Sequence, residues 1–183
     1  IKRMTNRDGY VCKLSKSDLA EIRLAGSDER IPYFSEVLEL VDGRVPILIE
    51  IKNSNSNKSG ELEQAVLDAL RRYEGEYAVQ SFNPYSMEFF KKNAPQIPRG
   101  QLSYVFGKKE FSFFKRYMFN HLKVTKISSP DFISYAFNQL PNKYVTRTDL
   151  PVLAWTVRSN SDMEKVLPHC DNFIFENFIP VID

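Results

Sequence analysis

Apolar residues along this chain switch repeatedly between a period near two and a period near 3.6, the signature of strands alternating with amphipathic helices. The most apolar block is Val45-Pro46-Ile47-Leu48-Ile49-Glu50-Ile51-Lys52-Asn53. Its branched aliphatics predict a strand buried on both faces, as in a parallel sheet. Upstream, Ser15 is placed to cap a helix over 15–24, with Asp18 three residues on. Phe34, Val37, Leu38 and Val41 give residues 33–41 the stripe of a helix laid on a sheet, and Asp42-Gly43 ends it. Downstream, Leu62, Ala65, Val66, Ala69 and Leu70 mark one face of a helix over 61–73. A strand over 77–82 follows, and Asn83 and Pro84 then start a helix reaching Asn93.

The remaining blocks predict strands over 101–106, 131–136, 151–157 and 172–178. Between them lie a very aromatic helix over 110–124 and shorter ones over 144–149 and 162–167. Six strands alternating with helices, without repeats or linkers, read as a parallel α/β sheet, most simply part of a (β/α)8 TIM barrel. A complete barrel takes eight strands and about 250 residues. Two outcomes are therefore open: an open six-stranded sheet, or an incomplete barrel carrying about six of its eight parallel strands.

Composition narrows the class without naming a chemistry. At 183 residues the chain suits one domain, here 1–183, with an aromatic-rich core drawn from 14 Phe and 9 Tyr. A net charge of +2 gives no footing for nucleic acid as a partner. No apolar run approaches the roughly 18 residues of a membrane span. Cys12 and Cys170 show no metal or redox spacing and are expected as free, buried thiols.

The chemistry concentrates at one strand end. Glu50 and Lys52 are two residues apart, so they project from the same side of the strand. Both sit where α/β folds place their active groups, at the C-terminal end. Ser54-Asn55-Ser56-Asn57-Lys58-Ser59-Gly60 follows, a polar loop able to lie around a phosphate or a metal. The pair also reads as a plain ion pair; we favour a metal-ligating carboxylate beside a phosphate-reading lysine.

Four segments, in order, bear a resemblance to a known family. Ile31-Pro32 with Glu36-Val37-Leu38-Glu39-Leu40 resembles I-P-T-L-E-E-V-L-E-L of the glycerophosphodiester phosphodiesterases. Leu48-Ile49-Glu50-Ile51-Lys52 resembles that family's E-x-K strand end, and Gln80-Ser81-Phe82-Asn83-Pro84 its S-F strand with the following cap. Ala154-Trp155-Thr156-Val157 resembles its W-T-V strand end. The resemblance covers essentially the whole chain. It implies a (β/α)8 barrel hydrolysing glycerophosphodiesters to glycerol 3-phosphate and an alcohol, in lipid and glycerol metabolism, with Ca²⁺ or Mg²⁺ as cofactor. It further implies Glu50 as one of three carboxylate metal ligands and Lys52 as a phosphate contact. Gln80, Phe82 and Trp155 would line the substrate side. Oxygen ligands suit a hard cation, and lysine adds a compact charge beside it.

The same resemblance sets the chain apart. The family's catalytic histidines lie in H-R-G and H-D strand ends, upstream of the point matching Ile1-Lys2-Arg3-Met4-Thr5, so no catalytic residue is expected in this chain. The carboxylates completing the metal site are expected upstream as well. Asn172-Phe173-Ile174-Phe175-Glu176-Asn177 departs from the family's D-G-I-I-T-D. His121, on the aromatic helix, and His169, after Pro168, are at neither kind of strand end and read as structural. The expectation is the C-terminal three-quarters of a phosphoric diester hydrolase, placed in the cytoplasm, acting on a small-molecule phosphodiester. The alternatives are a remnant that binds a phosphorylated ligand or partner without turnover, and a structural or regulatory domain of a longer membrane-associated protein. The stripes Phe111, Phe114, Met118, Leu122 and Phe113, Tyr117 are expected to pack on the sheet, a lipid-facing surface being the other reading.

Overall fold

Ser15 does cap the first helix: its Oγ accepts from Asp18 N while the Asp18 carboxylate accepts from Ser15 N, a reciprocal cap. The computed structural model describes residues 1–53 and 60–181. The chain divides into two units, Ile1–Arg44 and Val45–Asp183. The first holds α1 (Lys16–Glu21) and α2 (Phe34–Val41), with isolated bridges Thr5 to Leu24 and Arg23 to Arg30. Asp42, in left-handed backbone at φ 48°, ends α2. Cys12 is exposed rather than buried, lying in a one-turn 3-10 segment with no buried residue; Cys170 is half-buried, and both are free thiols.

The second unit is strand and helix in alternation. It runs β1 (Ile47–Glu50), α3 (Glu61–Leu70), β2 (Tyr77–Ser81), α4 (Pro84–Asn93) and β3 (Arg99–Ser103). Then come α5 (Phe113–Asn120), α6 (Thr125–Ser128), β4 (Phe132–Ala136), α7 (Lys143–Thr146), β5 (Val152–Val157), α8 (Asn160–Val166) and β6 (Asn172–Phe175). All five strand pairings are parallel and follow chain order, β1 through β6. This is an incomplete (β/α)8 barrel with six of the eight strands. Among the described residues β1 and β6 each have a single neighbour.

One face of the sheet carries the helices. Ile133, Tyr135 and Val152 pack against Leu122 and Val145, and Ala154 and Val157 pack against Met163 and Val166 of α8. Register partners in a parallel pair share a face, and alternate residues take the other one. The inner face therefore carries Leu48, Glu50, Ala78, Gln80, Gly100, Leu102, Phe132, Ser134, Ala136, Leu153 and Trp155.

Several elements depart from the sequence expectation. β1 is not buried on both faces: Leu48 and Glu50 are exposed and Ile47 and Ile49 only half-buried, because among the described residues the strand is paired on one side alone. β3 ends at Ser103 rather than Phe106, since the amides of Val105 and Phe106 donate to the Gln139 and Asn120 side chains instead of to a strand. α3 buries Glu63, Leu67 and Leu70, not the Leu62 and Ala65 edge of its apolar stripe. The aromatic helix breaks after Asn120. Leu122 takes a left-handed φ of 51°, which lets it join the β4 cluster while Phe119 and Val124 join Phe106 in another. β6 stops at Phe175, and Asn177 at φ 66° turns the chain away.

Candidate functional site

The inner-face strand ends collect the residues singled out from sequence. Glu50 closes β1 and lies in register with Gln80 of β2. Lys52 sits just beyond, its Nζ 3.5 Å from Glu50 Oε2. That contact is the plain ion pair; the lysine side chain is 69 % exposed, so in water the pairing contributes little and leaves the ammonium open to an anion. The glutamate is on the rim of the inner face and pays no full desolvation cost. The loop expected to embrace a phosphate, residues 54–59, lies outside the described residues.

A layer of buried polar groups holds this strand end; the sequence names Ser81 and Asn83 of it only as strand and cap, and Glu63, Ser86 and Gln101 not as site residues at all. Ile51, between the two charged residues, donates its amide to Gln80 O at 2.8 Å, and its carbonyl accepts from Ser81 Oγ at 2.6 Å. Ser81 Oγ also accepts from Asn83 N at 3.0 Å. Gln101 Nε2 donates to the carbonyls of Ser81 and Phe82, both at 3.2 Å. Glu63, fully buried on α3, accepts from Asn53 Nδ2 at 2.9 Å, from Gly60 N at 2.8 Å and from Ser86 Oγ of α4. Burial by itself pushes the Glu63 carboxyl up, but the bonds from Gly60, Ser86 and Asn53 outweigh it and hold the group below its ordinary value. The residues flanking the polar loop, Asn53 and Gly60, thus hang on one buried anion.

Aromatic rings form the opposite wall. Phe82 meets Trp155 edge to face at 5.7 Å and Tyr104 at 5.9 Å, and Tyr104 meets Trp155 at 6.3 Å. Tyr104 belongs to this wall although sequence reading ran the strand past it; its two-residue offset from inner-face Leu102 was the available signal. Burial, and then the hydrogen bond to Glu110, push the Tyr104 phenol up to about 12. That hydroxyl is therefore a donor to Glu110 and not a neutral-pH acid. Gln80 Oε1, Ser134 Oγ and Trp155 Nε1 on this face are buried and have no hydrogen-bond partner among the described residues. Buried polar atoms left without partners cost about 1–3 kcal/mol each, a cost that a bound water or ligand on this face would remove.

The histidines are elsewhere. His121 caps α5, its Nδ1 3.0 Å from Tyr117 O and its ring between Tyr117 and Tyr144, both 4.3 Å away. His169 lies in the one-turn 3-10 segment before β6, on the helix side. A Ca²⁺ or Mg²⁺ ion needs about six oxygen ligands. Among the described residues no group of three His, Cys, Asp or Glu comes together. Glu50 offers one ligand, and the described residues do not themselves make a cation site.

Comparison with known proteins gives this arrangement a lineage. The model of the glycerophosphoryl diester phosphodiesterase family matches residues 1–175. A glycerophosphodiester phosphodiesterase of Caldanaerobacter subterraneus is 27 % identical over 180 residues, covering 91 % of this chain and 69 % of that protein. Among solved structures, an Oleispira antarctica phosphodiesterase in complex with the product sn-glycerol-3-phosphate superposes with a TM-score of 0.73 at 18 % identity, over 96 % of this chain and 72 % of that one. A Silicibacter pomeroyi structure bearing the same family name has a TM-score of 0.64 at 21 % identity; this chain covers 53 % of it, about half its length. The structural likenesses carry the barrel fold, and the match over residues 1–175 carries the kinship. The chain belongs to the glycerophosphoryl diester phosphodiesterase family.

Proposed function

We propose that this chain forms the substrate-facing part of a glycerophosphodiester phosphodiesterase, hydrolysing glycerophosphodiesters to glycerol 3-phosphate and an alcohol. The observation that carries the reading is the convergence of Glu50, Gln80, Phe82 and Trp155 at the inner strand ends, with the Gln80 and Trp155 polar atoms left unpartnered. Lys52 swings its ammonium from Glu50 to a phosphoryl oxygen, where a compact point charge is most useful. Gln80 Oε1 accepts from a glycerol hydroxyl, Trp155 Nε1 donates to an ester or hydroxyl oxygen, and the Phe82 ring covers the glycerol carbons. Glu50 is a candidate ligand for the family's divalent cation. Its companions are not among the described residues. The acid and base that move the reaction's protons are likewise not among them. Free Cys12 and Cys170 suit a reducing compartment such as the cytoplasm.

The test uses the protein as encoded, supplied with glycerophosphocholine and related diesters, with glycerol 3-phosphate release as the readout. Hydrolysis is expected, and Glu50→Ala is expected to lower kcat/KM by about 10²–10³-fold, the scale for losing one electrostatic group at a reacting phosphate. Trp155→Phe, which keeps the ring wall and removes the donor, should raise KM several-fold with less effect on kcat. Full activity in Glu50→Ala would refute the role given to that carboxylate. Saturable binding of glycerol 3-phosphate without turnover of any diester would leave the site standing and overturn the reaction.

A further inference from the structure

Residues 107–117, which follow β3 and enter α5, present an apolar tip ringed by cations. Phe113 is 78 % exposed and Phe114 71 %, with Tyr117 exposed one turn beyond Phe113. The same helix buries Phe119 against Phe106 on its other side, so its apolar residues face both inward and outward. A helix that only packed on the barrel would put polar residues on the outer side. Four basic residues surround the tip: Lys108, Lys109, Lys115 and Arg116. Lys108 and Lys109 are exposed, Lys115 lies over the Phe111 ring at 4.2 Å and Arg116 over Phe113 at 5.9 Å. The segment's one carboxylate, Glu110, is exposed but accepts from the Tyr104 hydroxyl and from Gly107 N at 2.7 Å, and against four cations it leaves the tip clearly positive.

We infer that this tip docks onto an anionic phospholipid surface, with Phe113 and Phe114 entering the headgroup–acyl boundary and the four cations reading lipid charge. Charge complementarity argues for that occupant over an apolar protein partner: exposed rings flanked by long cationic side chains on flexible stems suit an interface that is apolar in depth and negative at its surface. Position argues for it too. Phe114, Lys115 and Met118 line an apolar cavity of about 440 Å³ whose inner wall is Phe82 and Asn53. Docking there brings the cavity mouth to the lipid, with Phe82 of the candidate site at its far side. The exposed rings and cations carry the inference without the phosphodiesterase reading, which only gives the cavity's approach to Phe82 a use.

The experiment is co-sedimentation of the protein, without substrate, with phosphatidylcholine vesicles with and without phosphatidylserine. Binding is expected to the mixed vesicles, weakly to phosphatidylcholine alone, and to fall as salt rises from ~50 mM to ~500 mM. The double variant Phe113→Ala/Phe114→Ala removes only exposed rings, so it should keep the circular dichroism spectrum and melting temperature. It should lose vesicle partitioning by about tenfold or more. Lys108→Glu/Lys109→Glu should weaken it by about tenfold as well, and flatten its salt dependence. Absence of binding to mixed vesicles, or undiminished binding in the phenylalanine double variant, would overturn the inference. So would a self-associated species in sedimentation equilibrium that the same variant dissociates, since a second copy would then be the occupant.

Discussion

Glu63 shows how a single residue can carry a site it never touches. It is the third residue of α3, where a glutamate commonly reaches back to cap its own helix, and its bond from Gly60 N does that. The sequence could show this much. It could not show Ser86, which arrives from α4, or Asn53, which carries the chain out of β1. Replacing Glu63 by Ala strands these donors in a buried pocket, at an expected cost of about 2–4 kcal/mol in urea unfolding. The pH dependence has a definite sign. Because the folded carboxyl titrates below its ordinary 4.5, the folded state binds fewer protons, and the stabilisation is present above that value. It is lost as pH falls from there through the folded value. Wild type and Glu63→Gln should therefore differ most near neutrality and converge in acid. A gap that stays constant from pH 7 to pH 3 would show that the charge plays no part.

At the scale of elements, the alternation of strands and helices is readable in the sequence, while the ends of β3 and β6 and the connections between clusters are not. Alternation along β1 is a local property and puts Glu50 and Lys52 on one side, whereas Gln80 and Trp155 enter from sequence only through the family resemblance; it is the strand register that sets Glu50, Gln80 and Trp155 on one face. The end of β3 and the break between α5 and α6 depend on distant partners: the Gln139 and Asn120 side chains in one case, two separate apolar clusters in the other. No window of sequence holds both halves of such a choice. Gly100 is another case, an ordinary glycine in sequence that sits in register with Phe132 on the inner face. A Cβ built there would fall 2.1 Å from Phe132 Cε2, so the ring occupies the space that a side chain at this position would need. Gly100→Ala should cost about 1–3 kcal/mol by forcing the ring aside. Pairing it with Phe132→Leu should recover part of that loss, a coupling that a double-mutant cycle reads directly. A neutral Gly100→Ala would mean the ring is not packed there in solution.

At the largest scale, the consequential feature of the described residues is a sheet whose first and last strands are paired on one side. A closed barrel gives every strand two neighbours, whereas here β1 and β6 have one each among the described residues. Burial follows that arrangement. β3 is buried along its whole length, β4 nearly so, while Leu48 and Glu50 of β1 and Asn172 and Phe175 of β6 are exposed. At the N-terminal end of the inner face, Leu48, Ala78, Phe132 and Leu153 border an open cavity of about 520 Å³ where a closed barrel would have packed side chains. Opening free energy tracks neighbours and burial, so amide exchange should be graded across the sheet. In hydrogen-exchange mass spectrometry, peptides spanning 99–103 and 132–136 are expected to exchange slowest. Those spanning 47–50 and 172–175 should be fastest among the strands, by about two orders of magnitude for each 2.7 kcal/mol of lost protection. Protection of β1 and β6 equal to that of β3 would require a partner for each edge, from this chain's own kind or another, and would relocate Glu50 from the rim of an open sheet to the wall of a closed one. Comparing Glu50→Ala with wild type in the same experiment separates the two cases. On an open edge the substitution leaves exchange unchanged, and in a closed wall it loosens β1.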